Sequence, residues 1–128
     1  MSRRRMMMGR QEKYSDVINL YDYKDKTVYR YYLDSNGNII NAIATKSWYI
    51  DEFFKVKPDT TYIGNGFFDN IRVCFYDANK NFISMFLGRT TCVFTTPTNT
   101  KYIRVSGDCK DYGKKDYPNE STVIKENK

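Results

Sequence analysis

The sequence predicts an all-β protein with a single antiparallel β-sandwich, and two observations favour this fold. Turn-forming residues recur about every ten residues between short runs of β-branched and aromatic side chains, which is the spacing of sandwiches and barrels of about eight strands. No segment shows the 3.6-residue apolar periodicity of an amphipathic helix. The length of 128 residues and an apolar fraction of 41% suit one domain with one core.

The predicted strands follow one another along the chain with short turns between them. Val28–Asp34 and Ile39–Ile43 flank Asn36–Gly37, a dipeptide typical of hairpin turns. The later strands are expected at Trp48–Val56, Thr60–Ile63, Ile71–Tyr76, Asn81–Phe86, Thr90–Thr95 and Lys101–Ser106. A last strand is expected at Thr122–Lys125, unless that tail is loose.

Two of these segments alternate between apolar and other residues, which predicts the side chains that face the core. In Ile71–Tyr76 the odd-numbered residues Ile71, Val73 and Phe75 form one face. In Lys101–Ser106 the residues Ile103 and Val105 lie opposite Tyr102 and Arg104.

A nine-residue pattern occurs twice, at residues 32–40 and 75–83. Both copies read apolar-apolar-Asp-x-Asn-x-Asn-apolar-apolar. Asp and Asn side chains cap tight turns, so the pattern predicts two hairpins of one type. The same residues resemble the opening of a calcium loop, but no acidic residue follows Asn38 to complete the oxygen ligands. The sequence therefore predicts no metal site.

The positive charge is concentrated at the start of the chain. The formal net charge is +6, and residues 1–10 supply +4 of it without any acidic residue. This segment contains Arg3, Arg4, Arg5, Met6, Met7, Met8 and Arg10. We expect residues 1–18 to form an extended anchoring arm and residues 19–128 to form the sandwich with a short C-terminal tail.

Several residue types that catalysis usually requires are missing. There is no histidine, which is the usual general base near neutral pH, and no glycine-rich phosphate loop. The sequence therefore predicts a protein that is not an enzyme and that has no cofactor. The cysteines Cys74, Cys92 and Cys109 are odd in number and lack close spacing, so they are expected to be free thiols of a chain that folds in a cytosol. No apolar run approaches the length of ~20 residues that spans a membrane.

Aromatic residues make up 16% of the chain, and two uses for them remain open. Trp48, Tyr49 and Tyr31 are candidates for a platform that stacks on sugar rings. The alternative is that these rings fill the core and subunit contacts. A nucleic-acid partner is less favoured, because the body outside the basic arm has no basic stripe.

Several segments in order resemble a known family. They are Asn19–Asp22, Tyr49–Ile50, Val56–Tyr62, Phe75–Ile83, Phe94–Pro97 and Tyr102–Ser106. Over Asn19–Ser106 the chain resembles the carbohydrate-binding-module-like jelly-roll domains of tailed-phage virion proteins. The Met/Arg start is similar to the starts of small head-fibre or decoration proteins of crAss-like phages.

These resemblances imply a non-enzymatic structural protein of a bacteriophage virion. It would fold in the host cytoplasm and attach to the capsid through the arm, with the sandwich facing outward. The implied partners are the major capsid protein or neighbouring fibre subunits, and a homo-oligomer is expected. The alternatives are an adhesion module that binds a host-surface glycan and a tail or baseplate subunit.

Overall fold

The computed structural model of the chain describes residues 17–42, 46–111 and 114–128, and these residues form an antiparallel β-sandwich. A 3-10 helix, Leu20–Lys26, follows the first strand. The strands are Val17–Asn19 (β1), Thr27–Tyr29 (β2), Tyr31–Leu33 (β3), Ile39–Asn41 (β4), Ser47–Ile50 (β5), Phe54–Lys55 (β6), Thr61–Asn65 (β7), Phe68–Tyr76 (β8), Phe82–Arg89 (β9), Cys92–Thr95 (β10), Tyr102–Asp108 (β11) and Val123–Glu126 (β12). The predicted fold class is confirmed, with more and shorter strands than expected.

The strands form two sheets that enclose the core. The smaller sheet has the order β1-β12-β7-β10, and the larger has the order β2-β5-β11-β8-β9 with β6 also paired to β11. Strands β3 and β4 form a separate hairpin. The chain passes repeatedly from one sheet to the other, so most strands pair with strands that are distant in sequence.

The core lies between the inner faces of the two sheets. The larger sheet contributes fully buried side chains, namely Trp48, Ile71, Val73, Ile103 and Val105. From the smaller sheet, the Phe94 ring centroid lies 5.9 Å from that of Phe75 and 5.4 Å from that of Phe86. The inward faces predicted for Ile71–Tyr76 and Lys101–Ser106 are therefore confirmed.

Two of the predicted strands are each divided in the structure. Val28–Asp34 is interrupted at Arg30, whose φ of 69° lies in the left-handed region, so β2 belongs to the larger sheet and β3 to the hairpin. Trp48–Val56 is interrupted after Ile50, where the Glu52 amide donates to the Ile50 carbonyl at 2.8 Å and forms a tight turn.

The sandwich begins earlier than the sequence indicated. Val17–Asn19 pairs with β12, where Val17 lies opposite Lys125, and Ile18 is buried in the core. The boundary expected between residues 18 and 19 therefore falls inside β1 and is corrected. The strand expected at Thr122–Lys125 is present as β12, and it lies between β1 and β7 rather than in a loose tail.

The repeated nine-residue pattern forms two hairpin turns of the same type, as predicted. In each turn the Asp side chain, Asp34 or Asp77, accepts hydrogen bonds from the backbone amides two and four residues later at 2.8–2.9 Å. These bonds to the carboxylate lower the pKa of both aspartates. The left-handed position of each turn is Gly37 or Lys80. The carboxylates thus have turn-capping partners within their own hairpins.

The backbone of β11 at Gly107 lies very close to the Trp48 side chain of the neighbouring strand β5. Gly107 in β11 lies opposite Trp48 in β5. A Cβ atom on Gly107 would lie 2.5 Å from Cζ2 of Trp48, closer than real Cβ contacts allow. The absence of a side chain at position 107 therefore makes room for the buried indole.

We predict that Gly107→Ala lowers the free energy of unfolding by about 1–3 kcal/mol, because the added methyl group overpacks a filled core. Denaturant unfolding of the variant and of the unchanged chain measures this difference. The matched background is Trp48→Phe, which removes the indole atoms nearest to Gly107. The cost of Gly107→Ala should fall in that background, and an equal cost in both would contradict the proposed clash.

Candidate functional site

The structure separates one of the three residues predicted to form a sugar platform, Trp48, from the other two. Trp48 is 0% exposed and stacks against Phe67, with ring centroids 6.2 Å apart. It presents no ring face to a ligand, so the expectation of Trp48 in an exposed platform is corrected. Tyr49 points to the opposite face of the sheet, because side chains alternate along a strand. There it packs edge-on against Tyr31 at 6.3 Å between centroids.

The side of the larger sheet that faces away from the core, called here the outer face, carries a second apolar cluster. Leu33, Tyr49, Cys74 and Tyr76 are its buried members. The β3–β4 hairpin covers part of this face: the Leu33 amide donates to Oγ of Ser106 at 3.4 Å, and the Tyr76 hydroxyl donates to the Gly37 carbonyl at 3.5 Å. The hairpin therefore divides the outer face into a covered part and a more open part.

The open part of the outer face holds a group of aromatic rings and cations, called here the aromatic-cation shelf: Tyr49, Phe53, Lys80, Tyr102 and Arg104. The Arg104 guanidinium lies 4.7 Å from the centroid of Phe53 and 5.5 Å from that of Tyr49. Nζ of Lys80 lies 5.0 Å from the centroid of Phe53 and 5.5 Å from that of Tyr102. Phe53 thus lies near two cations, each within cation-π range.

Arg104 is unusual because it is a buried cation at the centre of the shelf. The residue is 8% exposed, and its Nη2 donates to Oδ1 of the exposed Asp51 at 3.2 Å. Its Nε is buried and has no hydrogen-bond partner among the described residues. A buried polar nitrogen without a hydrogen bond is unfavourable. Cation-π contacts with the flanking rings offset part of this cost by stabilising the guanidinium charge.

Two buried tyrosines of the outer face, Tyr49 and Tyr76, stay neutral over the physiological range. Burial raises the pKa of Tyr76 to about 12 and also raises the pKa of Tyr49. The shelf therefore exposes Lys80, the Asp51 carboxylate and part of the Phe53 and Tyr102 rings, while Tyr49 and the Arg104 guanidinium lie buried beneath them. Such a surface suits the binding of a polar ligand with apolar faces.

A separate cavity of about 250 Å³ lies beside β2 and the start of β5. Its lining residues are Tyr29, Arg30, Lys46, Ser47, Asp111, Lys114 and Lys115. Nζ of Lys24 donates to the carbonyls of Lys115 and Pro118 at 2.8 Å each, and Lys115 lies over the Tyr29 ring. Lys24 and Lys115 thus contact backbone and ring groups of the chain itself.

Sequence reasoning identified only part of this arrangement. Arg104, Lys80 and Tyr102 were not predicted as site residues, although the alternation of Lys101–Ser106 indicated that Tyr102 and Arg104 share a face.

The arm residues Arg3, Arg4, Arg5, Met6, Met7, Met8 and Arg10 lie outside the described residues.

Comparison with known proteins adds no family assignment: no protein-family model, no curated protein and no solved structure matches the chain. Within residues 17–42, 46–111 and 114–128, no three His, Cys, Asp or Glu side chains are grouped as metal ligands. In the same residues no helix has the length and apolar character of a membrane span.

The three cysteines are free thiols that differ in burial. Cys74 and Cys109 are buried, whereas Cys92 is half-buried. Burial raises the pKa of Cys74 and of Cys109 to about 11, and it raises the pKa of Cys92 as well. The thiolate is the reactive form, so these thiols are weak nucleophiles in the folded chain.

We predict that Cys92 is alkylated before Cys74 and Cys109 when the folded chain is treated with iodoacetamide at pH 8. A thiol with a pKa of about 11 is ionised at that pH to only about one part in a thousand, and burial also restricts access. Peptide mass spectrometry after timed quenching measures the three rates, and the urea-unfolded chain provides the control in which the rates converge. Faster modification of Cys74 or Cys109 in the folded chain would contradict this order.

Proposed function

We propose that the protein is a non-enzymatic structural module of a tailed-phage virion, attached to the capsid as a head fibre or decoration subunit. The observation that carries the proposal is the combination of a closed β-sandwich with a basic segment that precedes it. The described residues by themselves bury a core of side chains from both sheets, and β1 begins at Val17. The resemblance over Asn19–Ser106 to virion sandwich domains supports this assignment.

The composition of residues 1–10 is suited to docking on another protein. Methionine side chains are flexible and polarisable, so Met6–Met8 can fill an irregular apolar groove. The guanidinium groups of Arg3–Arg5 match carboxylates and carbonyl groups in a fork geometry. The partner with the matching chemistry is an acidic groove on the major capsid protein or on a neighbouring fibre subunit.

We predict that a chain beginning at Val17 folds but does not join phage particles. It retains every strand of both sheets, so it should give a β-type circular dichroism spectrum and a cooperative melt. It lacks the basic Met/Arg segment, so it should be missing from particles in a complementation assay that quantifies the protein in purified virions. Incorporation of this chain at full occupancy would place the attachment site on the sandwich instead.

A matched pair of full-length variants separates specific anchoring from simple charge. The first replaces Arg3, Arg4 and Arg5 with Ala, and the second replaces the exposed Lys110, Lys114 and Lys125 with Ala. Both lose three positive charges, but only the first should reduce incorporation. Equal losses would indicate that incorporation depends on net charge rather than on the arm.

A second candidate function, glycan binding by the outward-facing sandwich, is favoured by the aromatic-cation shelf. The rings of Phe53 and Tyr102 are half-exposed, and Tyr31 extends the aromatic surface beside Tyr49. Apolar sugar faces pack on such rings, while the Asp51 carboxylate is exposed to accept hydrogen bonds from sugar hydroxyl groups. The shelf replaces the Trp48-centred platform that the sequence indicated.

We predict that Phe53→Ala weakens binding of the chain to host-surface polysaccharide by roughly 5- to 150-fold, since one stacking ring contributes about 1–3 kcal/mol. Titration calorimetry with purified polysaccharide fragments measures the change. Tyr21→Ala is the matched control, because Tyr21 is exposed on the 3-10 helix and is not part of the shelf. Equal losses in both variants, or no glycan binding by the unchanged chain, would count against this second function.

A further inference from the structure

The cavity beside β2 and the start of β5 lies where three neighbouring strands begin or end. Strand β2 ends before Arg30, β5 begins after Lys46, and β11 ends before the third lining segment, which contains Lys115. Backbone hydrogen bonds of 2.8 Å hold these segments together: the Arg30 amide donates to the Ser47 carbonyl, and the Cys109 amide donates to the Lys46 carbonyl. Strand pairing therefore brings lining residues together that are distant in sequence.

The lining carries an excess of positive charge, and we call this pocket the basic cavity. Its charged groups are one carboxylate, Asp111, and four cations, which gives a net formal charge of +3. The cations are Arg30, Lys46, Lys114 and Lys115. Asp111 lies 3.7 Å from Lys114, but both side chains are more than half exposed, so solvent screens this pair. A concave surface with one dominant sign of charge attracts ions of the opposite sign.

Two further carboxylates near the basic cavity bind donors of the chain itself. Asp108 accepts hydrogen bonds from the Ser47 hydroxyl at 2.8 Å and from the Asn70 side-chain amide at 3.1 Å. Asp116 accepts one from the Lys110 backbone amide at 3.4 Å. Neither acid is among the lining residues. They reduce the local positive charge without contacting the cations of the lining.

The position of Lys115 is fixed through both its backbone and its side chain. Nζ of Lys24 donates to the carbonyls of Lys115 and Pro118 at 2.8 Å each, and Nζ of Lys115 lies 5.5 Å from the Tyr29 ring centroid. Burial lowers the pKa of Lys24, and the Lys115 charge acts in the same direction although Asp116 opposes it. A bound anion would relieve this repulsion between neighbouring cations.

We propose that the basic cavity binds a phosphate group, with Arg30, Lys46 and Lys115 as the cations that contact it. Guanidinium groups bind phosphate oxygens in pairs, and lysine ammonium groups act as point charges. The volume of about 250 Å³ lies below the range of pockets for drug-sized ligands, so it fits inorganic phosphate or a small phosphate ester. The basic cavity shares no residue with the aromatic-cation shelf, so phosphate binding depends on neither proposed function.

Titration calorimetry of the full chain in a phosphate-free buffer at low ionic strength tests this site with inorganic phosphate, glucose 6-phosphate and glucose. At least one phosphate probe should bind saturably to one site per chain, and glucose should not bind. Tighter binding of glucose 6-phosphate would identify a phosphate ester as the ligand, and tighter binding of inorganic phosphate would identify the free anion. Absence of saturable binding by both phosphate probes, or equal binding of glucose, would overturn the proposal.

A matched pair of variants, Lys115→Gln and Lys125→Gln, separates binding in the cavity from attraction by net charge. Each removes one positive charge from an exposed lysine, but only Lys115 lines the cavity. Lys115→Gln should raise the dissociation constant of the tighter-binding phosphate probe at least ~5-fold, because a charge-assisted contact is lost. Lys125→Gln should leave it unchanged.

Circular dichroism melts establish whether these variants are folded, and Lys46→Gln replaces Lys115→Gln if the latter does not fold. Equal behaviour of the cavity variant and Lys125→Gln would overturn the proposal, because phosphate would then respond to the charge of the whole chain rather than to the cavity.

Discussion

Strand β11 pairs with β5, β6 and β8 and is buried on both faces, and this double burial constrains the rest of the larger sheet. On the inner side Ile103 and Val105 lie in the core, as an apolar sandwich interior requires. On the outer side Ser106 is equally buried, so its hydroxyl needs partners within the protein. It donates to the Trp48 carbonyl at 2.8 Å and accepts from the Leu33 amide. The β3–β4 hairpin thus provides a second partner for this buried hydroxyl, in addition to the Trp48 carbonyl of β5.

The burial of β11 on both faces also explains which part of the outer face is less covered. The hairpin covers the outer face near Ser106 and Cys74, whose thiol lies 3.9 Å from the Asp34 carbonyl. It does not occupy the part of the face with Phe53, Lys80 and Tyr102. Arg104 lies at the border of the two parts and therefore combines burial with contact to an exposed carboxylate, Asp51. The shelf is the part of the outer face that the described residues leave more open.

The features that could be predicted from sequence depend on local patterns. Alternation in Ile71–Tyr76 indicated the correct inner face, and the repeated Asp-x-Asn-x-Asn pattern indicated two matching turns, because both are encoded within a few residues. The expectation of Trp48 and Tyr49 in one platform was wrong, because neighbouring side chains of a strand point to opposite faces. The buried position of Trp48 also requires Gly107, which is distant in sequence and provides space for the indole.

Other features could not be predicted because they join distant residues without a local signal. The pairing of β1 with β12 connects the two ends of the described chain, and three-residue Val17–Asn19 carries too little pattern to predict a strand. The aromatic-cation shelf also consists of residues that are distant in sequence. Lys80 lies in the turn between β8 and β9, Phe53 lies in the turn after β5, and Arg104 lies in β11. Only the folded structure brings these three residues together.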